Sequence, residues 1–430
     1  MLKSLLQYLL KILAKKIVKK YRPDVVGITG SIGKTTAKEV TAAILGSKFN
    51  VRASFKNYNN QIGLPLTIIG IDKTPGRSFF GWLKVFGRAF KLIFGRKENY
   101  PDILILEMGA DRPGDVQYLV EIAPCKVGVF TYVSHAHTEF FKTIKKIAQE
   151  KRVIVSHLSE DAFAVVNFDN PLVMENAKTK AETITFGFKE GADLRATDIN
   201  LIEDETTGWP IGLNFKINFN GSTVPVFIPD VIAEHLIPSV LVGLAVGHIF
   251  GLNMIDAAAV LRQFKPMPGH MRLLPGIKNT LIIDDTYNSS PEPTRSALLT
   301  LSKIKIKEWA ERYAVLGDML ELGPETESAH REIGLKTAGL GIDILVVVGE
   351  ASKYTAAAAR EAGMDEHKVL VFGDSVSAGR FLQDAIKQGD VILVKGSQGA
   401  RMEKIVKELM AEPLKAKELL VRQGEEWEKR

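Results

Sequence analysis

At 430 residues the chain is too long for one ordinary hydrophobic core, so two or three domains are expected. Hydrophobic residues make up 46% and charged residues 25%, the balance of a soluble globular protein. The formal charge of +6 favours anionic ligands or anionic membrane surfaces without demanding nucleic acid, and the lone Cys125 excludes an internal disulfide or a multi-cysteine metal cluster and fits a reducing compartment.

The first stretch, residues 1–24, is apolar but carries Lys3, Lys11, Lys15, Lys16, Lys19 and Lys20. Those charges interrupt any membrane span, and no small-residue cleavage site marks a secretory signal. Leu2, Leu5, Leu6, Leu9, Leu13 and Ile17 recur at helical spacing, with Lys11, Lys15 and Lys19 on another stripe. The pattern predicts an amphipathic helix.

After Pro23, Asp24-Val-Val-Gly-Ile-Thr reads as a buried parallel strand, followed by a glycine-rich turn and a helix from Lys34 to about Leu45. Within an amphipathic insertion at 74–100, Phe79, Trp82, Leu83, Phe86, Phe90 and Ile93 share one helical face, and Lys84, Arg88 and Lys91 another. That is the composition of a helix lying on a membrane surface. The alternative, slightly favoured, is that this helix and the N-terminal one pack on each other or on the body. Strands are predicted at 103–106, 127–131 and 162–166, and an antiparallel patch over 193–230. A helix follows at 236–250, then a linker at Lys265-Pro-Met-Pro-Gly. Beyond it, strands at 281–284, 313–316, 344–348, 369–372 and 391–394 alternate with helices. From Glu412 the charged end reads as an exposed helix or a frayed tail. The expected division is 1–24, 25–265 and 266–430.

The strongest chemical signal is Gly27-Ile-Thr-Gly-Ser-Ile-Gly-Lys-Thr-Thr. Gly30, Ser31 and Gly33 let successive backbone N–H groups face a phosphate, and the helix that follows adds its positive end. Lys34 would meet the β- and γ-phosphates, Thr35 would hold Mg²⁺ through its hydroxyl, and Thr36 completes the set. Ile28 stands where the general pattern has glycine, so this is a variant loop. The bland alternative is a plain tight turn between strand and helix.

Four further segments accompany the loop: Asn57-Tyr-Asn-Asn-Gln-Ile-Gly-Leu-Pro-Leu-Thr, Leu106-Glu-Met-Gly-Ala, Ile283-Asp-Asp-Thr-Tyr-Asn-Ser-Ser-Pro and Ala314-Val-Leu-Gly-Asp-Met-Leu-Glu-Leu-Gly. A fifth is Val394-Lys-Gly-Ser-Gln-Gly-Ala-Arg-Met-Glu. In this order they make residues 25–410 resemble the Mur ligases, the family that builds the peptide of bacterial cell-wall precursors. The resemblance implies an α/β protein. A central P-loop ATPase domain with a mostly parallel sheet would be followed by a C-terminal Rossmann-like α/β domain.

It also implies a chemistry: ATP phosphorylates a substrate carboxylate, and an amine then displaces the phosphate. By resemblance Lys34, Lys151 and His137 are catalytic, and Thr35, Glu107 and His137 hold two Mg²⁺ ions. Lys151 falls where the family carries a carbamylated lysine; taken alone it reads as an ordinary solvated helix lysine. Asn57, Asn59 and Asn60 would face the peptide substrate. Arg272 and Asp285 would contact the nucleotide, and Tyr287, Asn288, Lys395 and Arg401 the amine substrate. The implied partners are a muramyl-peptide precursor and D-alanyl-D-alanine, in the cytoplasm, with peripheral contact to the anionic inner face of the plasma membrane and no nucleic acid.

Relatives carry a UDP-gripping N-terminal domain, whereas here about two dozen residues precede the first strand. A separate protein supplying acceptor recognition is therefore one expectation. His235-Leu236 stands where relatives have His-Asn, and Tyr132 where asparagine is common. Two alternatives stay open: the same chemistry on another or lipid-linked acceptor, and a membrane-associated nucleotide-binding protein that does not ligate.

Overall fold

The computed structural model describes residues 2–55, 58–96, 99–134, 141, 143–424 and 427, so Asn57 and His137 lie outside the described residues. The chain forms two compact units. One comprises 1–198, 215–227 and 236–264; the other comprises 199–214, 228–235 and 265–430.

The first sheet is built from β1 (Asp24–Thr29), β2 (Val51–Ala53), β3 (Ile103–Glu107), β4 (Val127–Phe130), β5 (Phe163–Asn167), β6 (Glu182–Gly187), β7 (Leu194–Glu203), β8 (Pro210–Phe219) and β9 (Ser222–Pro229). Their order is β2-β3-β1-β4-β5-β6-β7-β8-β9. From β2 to β7 the neighbouring strands run parallel. β1, β3 and β4 are apolar runs because helices cover both faces. β7, β8 and β9 are joined by the turn at Asp204–Trp209 and by Asn220-Gly221, both of positive φ. Turns that short connect only antiparallel neighbours, which gives the patch expected at 193–230.

The same unit holds α1 (Leu2–Tyr21), α2 (Lys34–Gly46), α3 (Gly63–Ile69) and α4 (Phe79–Phe94). It also holds α5 (Asp115–Ile122), α6 (Ile144–Lys151) and α7 (Ile237–Ile249). α1 packs against α3, α4 and α5. Its buried stripe is Leu10, Leu13, Ala14 and Ile17, whereas Leu5 and Leu9 are exposed. The predicted face is thus rotated: steps of three and four from Leu6 through Leu10, Leu13 and Ile17 stay on one side, and Leu5 and Leu9 drift off it.

The ammonium of Lys20 donates to the carbonyls of Leu92, Ile93 and Gly95 at 2.7, 3.1 and 2.8 Å. A cation there closes the carbonyl end of α4 and ties it to α1. α4 turns Val85, Ala89 and Leu92 inward, and Trp82, Phe86 and Ile93 pack partly on the core. The packing alternative therefore holds for α1, while the predicted apolar face of α4 is divided. Among the described residues no helix is long and apolar enough to cross a membrane.

The second sheet contains β10 (Arg272–Gly276), β11 (Thr280–Asp285), β12 (Arg312–Gly317), β13 (Ile344–Val348), β14 (Val369–Phe372) and β15 (Val391–Lys395), in the order β10-β11-β15-β12-β13-β14. Only the β10–β11 pair is antiparallel. From Glu412 the chain forms two short helical segments, Pro413–Lys415 and Ala416–Leu419, mostly exposed as expected but anchored at two residues. Ala416 and Leu420, one turn apart, are buried in the core of this unit. Arg422 pairs with Glu403 at 3.1 Å and donates to the carbonyls of Thr286 and Tyr287.

Candidate active site

β1 lies between β3 and β4, where the strand order reverses, so the carboxyl ends of three strands open on one crevice. Register sets Ile28 beside Glu107 and Thr29 beside Phe130. The loop after β1 is braced from both neighbours. Thr29 Oγ1 donates to the Met108 carbonyl at 2.6 Å, Ser31 N–H donates to the Tyr132 carbonyl at 2.6 Å, and Thr131 Oγ1 donates to the Ile32 carbonyl at 2.6 Å. A side chain at Gly30 would collide with Thr131 Oγ1, and Gly33 has φ 83°. Both positions require glycine.

Gly33 precedes α2 without any side-chain cap, so the amides of the first turn stay directed at the loop. α7 holds α2 from behind: Ser239 Oγ donates to the Gly33 carbonyl at 3.2 Å, and a Cβ on Gly243 would come within 2.6 Å of Val40.

Lys34 folds over the loop, its ammonium donating to the carbonyls of Gly30 at 2.8 Å and Ser31 at 3.4 Å. Burial lowers its pKa, opposed by the charges of Glu107 and Asp111. Thr35 Oγ1 donates to Glu107 Oε2 at 2.9 Å, and Asn59 Nδ2 donates to Glu107 Oε1 at 2.9 Å. Glu107 is buried, and its backbone N–H donates to Ser54 Oγ at 3.1 Å. The hydroxyl of Thr35 and the carboxylate of Glu107 are hard oxygen donors of the kind Mg²⁺ takes, so these residues fit the ion. Among the described residues no group of three or more His, Cys, Asp and Glu side chains could hold a metal by itself.

Lys151 is the main departure from a residue-by-residue reading. It is 2% exposed, not solvated. α6 buries Ile147, Ala148 and Lys151, one helical stripe, and that spacing is the signal that could have found it. Burial, with the Lys34 charge adding to it, lowers its pKa to about 7. The neighbouring Glu150 accepts from the backbone N–H groups of Gly114 and Val116 at 2.8 and 2.9 Å, fixing α6 against the start of α5.

Other predicted residues have different surroundings. Asn60 Oδ1 accepts from Ile62 N–H at 3.1 Å and Gly63 N–H at 3.0 Å, so its oxygen serves the start of α3. Ser31 Oγ exchanges hydrogen bonds with the backbone of Ser134. Thr36 follows on the first turn of α2, half-buried.

In the second unit, Lys395 Nζ meets Asp285 Oδ2 at 2.6 Å and donates to the Asn288 carbonyl at 3.0 Å. Lys395 is buried, and its charge is paired at the 285–288 turn. Asp285 Oδ1 also accepts from Met271 N–H at 3.3 Å, beside Arg272 at the start of β10. The adjacent Asp284, which sequence reasoning passed over, accepts from Gly269 N–H and from Thr286; burial raises its pKa to about 6. Tyr287 stacks on His270 with ring centroids 4.5 Å apart. Burial pushes His235 down to about 4, so it is neutral at pH 7. Asn288 and Arg401 line a cavity of about 460 Å³ with Leu320, Glu321, Ser397 and Trp427. Arg401 Nε is paired with Glu403 at 2.6 Å.

A braced phosphate loop at the switch point of a parallel sheet, with a lysine over it and an oxygen pair beside it, defines a P-loop nucleotide-binding α/β protein. Comparison with known proteins narrows the class. Residues 28–76 and 89–237 match the Mur ligase middle domain, and residues 269–398 match the Mur ligase glutamate ligase domain. The chain belongs to the Mur ligase family.

It is 29% identical over 403 residues to the UDP-N-acetylmuramoyl-tripeptide–D-alanyl-D-alanine ligase of Bacillus subtilis, covering 94% of this chain and 79% of that one. The Escherichia coli ligase of the same name is 29% identical, covering 90% of this chain and 76% of its own. Among solved structures, the MurF ligase from Thermotoga maritima in complex with ADP superposes with a TM-score of 0.75 at 28% identity, covering 94% of this chain and 83% of the other.

Proposed function

We propose that the chain is an ATP-dependent, ADP-forming ligase that joins D-alanyl-D-alanine to a muramyl-peptide precursor in peptidoglycan synthesis, working in the cytoplasm. The observation that carries this reading is the Thr35–Glu107 oxygen pair, 2.9 Å apart, beside the loop that Lys34 covers. The site and the family membership agree on phosphoryl transfer. In the proposed reaction the γ-phosphoryl group of ATP passes to the acceptor carboxylate, giving an acyl phosphate and ADP. The amine of the dipeptide adds to the carbonyl carbon, the carbon–oxygen bond to phosphate breaks, and the amine gives up a proton as the amide forms.

The residues of this chain divide that work. Loop amides and Lys34 hold and stabilise the phosphoryl oxygens as charge moves onto them. Thr35 and Glu107 would hold Mg²⁺, which when bound offsets charge on the phosphates. Asn59 orients Glu107. The test is ADP and phosphate release with Mg-ATP, UDP-N-acetylmuramoyl-tripeptide and D-alanyl-D-alanine, with the product read by mass spectrometry. Release that needs both substrates, with a new amide, is the expected result. ATP hydrolysis indifferent to both would defeat the proposal.

The same reading makes Lys151 the site of a carbamate. With its pKa near 7, about half of its amine is neutral at neutral pH, and only the neutral amine attacks CO₂, forming an N–C bond and releasing a proton. The resulting anion lies in a site whose nearby lysine, Lys34, carries the opposite charge. The neutral fraction rises as pH rises through 7, so labelling by ¹³C-bicarbonate should increase between pH 6 and about 8. A carbamate ¹³C resonance that vanishes in Lys151→Arg is the expected spectrum. An unmodified Lys151 in protein equilibrated with bicarbonate at pH 8 would count against it.

A further inference from the structure

α4 leaves a face uncovered. Phe80, Leu83, Phe90 and Phe94 are 75%, 50%, 50% and 75% exposed, and Phe79 beside Phe80 is 71% exposed. With the exposed Gly87, their steps of three and four run along one side of a helix of 16 residues, about 24 Å long. The rings form pairs: Phe90 and Phe94 stack with centroids 6.0 Å apart, and Phe79 meets Phe80 edge-on at 5.9 Å. So long an apolar stripe on a surface helix is unusual unless something covers it.

The charge around it says what. Residues 1–23 hold seven basic and no acidic residues, and residues 73–97 again hold seven and none. The whole chain is only +6, so everything outside these two stretches is net −8. Residues 24–72 separate them in sequence, yet α1 packs on α4 and Lys20 closes its carbonyl end. The fold therefore gathers the excess positive charge of the molecule around this exposed apolar stripe. The match to the Mur ligase middle domain breaks between 76 and 89, within the basic stretch that opens α4.

We infer that α4, supported by α1, seats this protein on an anionic lipid bilayer, lying in the plane of the interface with its phenylalanines among the acyl chains. An anionic plane attracts this part of the unit, which sets orientation as well as attachment. A membrane-spanning role is excluded for α4 by its length. The inference is independent of what the nucleotide site does, and its test reads binding rather than turnover.

The full chain is sedimented with phosphatidylcholine vesicles and with vesicles of equal parts phosphatidylcholine and phosphatidylglycerol, at low and high salt. At low salt, binding to the anionic vesicles at least about tenfold tighter than to the neutral ones is expected, weakening as salt rises. The triple variant Phe80→Ser/Phe90→Ser/Phe94→Ser should lose about tenfold or more of that binding. Arg77→Glu/Lys84→Glu should lose the preference for anionic lipid. All five side chains are exposed, so both variants keep the wild-type melting temperature. Absence of binding to anionic vesicles at low salt, or equal binding to both kinds, overturns the inference. So does a concentration-dependent dimer, abolished by the triple serine variant, in a chain that ignores vesicles: a second copy would then be the occupant.

Discussion

Lys34→Ala should lower substrate-dependent ADP release by about 10²–10³-fold, equivalent to about 3–4 kcal/mol of lost transition-state stabilisation, while the protein stays folded. The two halves of that expectation rest on the same geometry. Among the described residues Lys34 donates only to the carbonyls of its own loop, at 2.8 and 3.4 Å. Its removal therefore costs little packing, and the loop remains braced by Thr29, Ser31 and Thr131. What disappears is a cation placed where a phosphoryl group gathers charge. Low dielectric around the half-buried ammonium makes that cation worth more than it would be in water. Steady-state ADP release beside a thermal melt separates the effects. A loss smaller than tenfold would mean that the loop amides alone carry the charge.

Asp285→Ala should destabilise the second unit by about 3–5 kcal/mol, because it strands a buried cation. Lys395 Nζ lies 2.6 Å from Asp285 Oδ2, with side-chain exposures of 3% and 10%. Without the carboxylate, only the Asn288 carbonyl at 3.0 Å and water that must penetrate remain to solvate the ammonium. Met271 N–H also loses an acceptor. The cost should appear as a fall in melting temperature on the order of 10 °C for the transition belonging to this unit. Asp285→Ala/Lys395→Met removes the stranded charge and should recover at least half of the loss. A double variant no more stable than Asp285→Ala would show that the carboxylate acts through the backbone at Met271 and not through the ion pair. Because Asp285 and Lys395 also shape the 285–288 turn, turnover should fall even in the double variant that regains stability.

Local chemistry carried much of this protein in its sequence. The phosphate loop is ten contiguous residues, and the need for glycine at Gly30 and Gly33 is set by backbone sterics that hold in any surroundings. The parallel strands were legible as short apolar runs, since a strand covered on both faces has no alternation to hide it. The linker and the hairpins of 193–230 were legible for the same reason: proline, glycine and period-two patterns are local.

Burial and pairing were not. Lys151 reads as solvated until Ile147 and Ala148 draw its side of α6 into the core. Lys395 has no visible partner in the sequence until β15 is set beside β11, which brings it to an aspartate 110 residues away. Helical periodicity gave α1 an apolar side but left open which leucines face in, because leucines spread over an arc of about 140°, and contact with α3, α4 and α5 chose Leu10 over Leu9. The two basic stretches could each be counted in the sequence, but only packing places them together. The sequence by itself determined the phosphate loop, the alternation of strands and helices and the family. The tertiary structure alone decided which charges are buried, which are paired and which apolar face stays uncovered, because those depend on desolvation by residues far away in the chain.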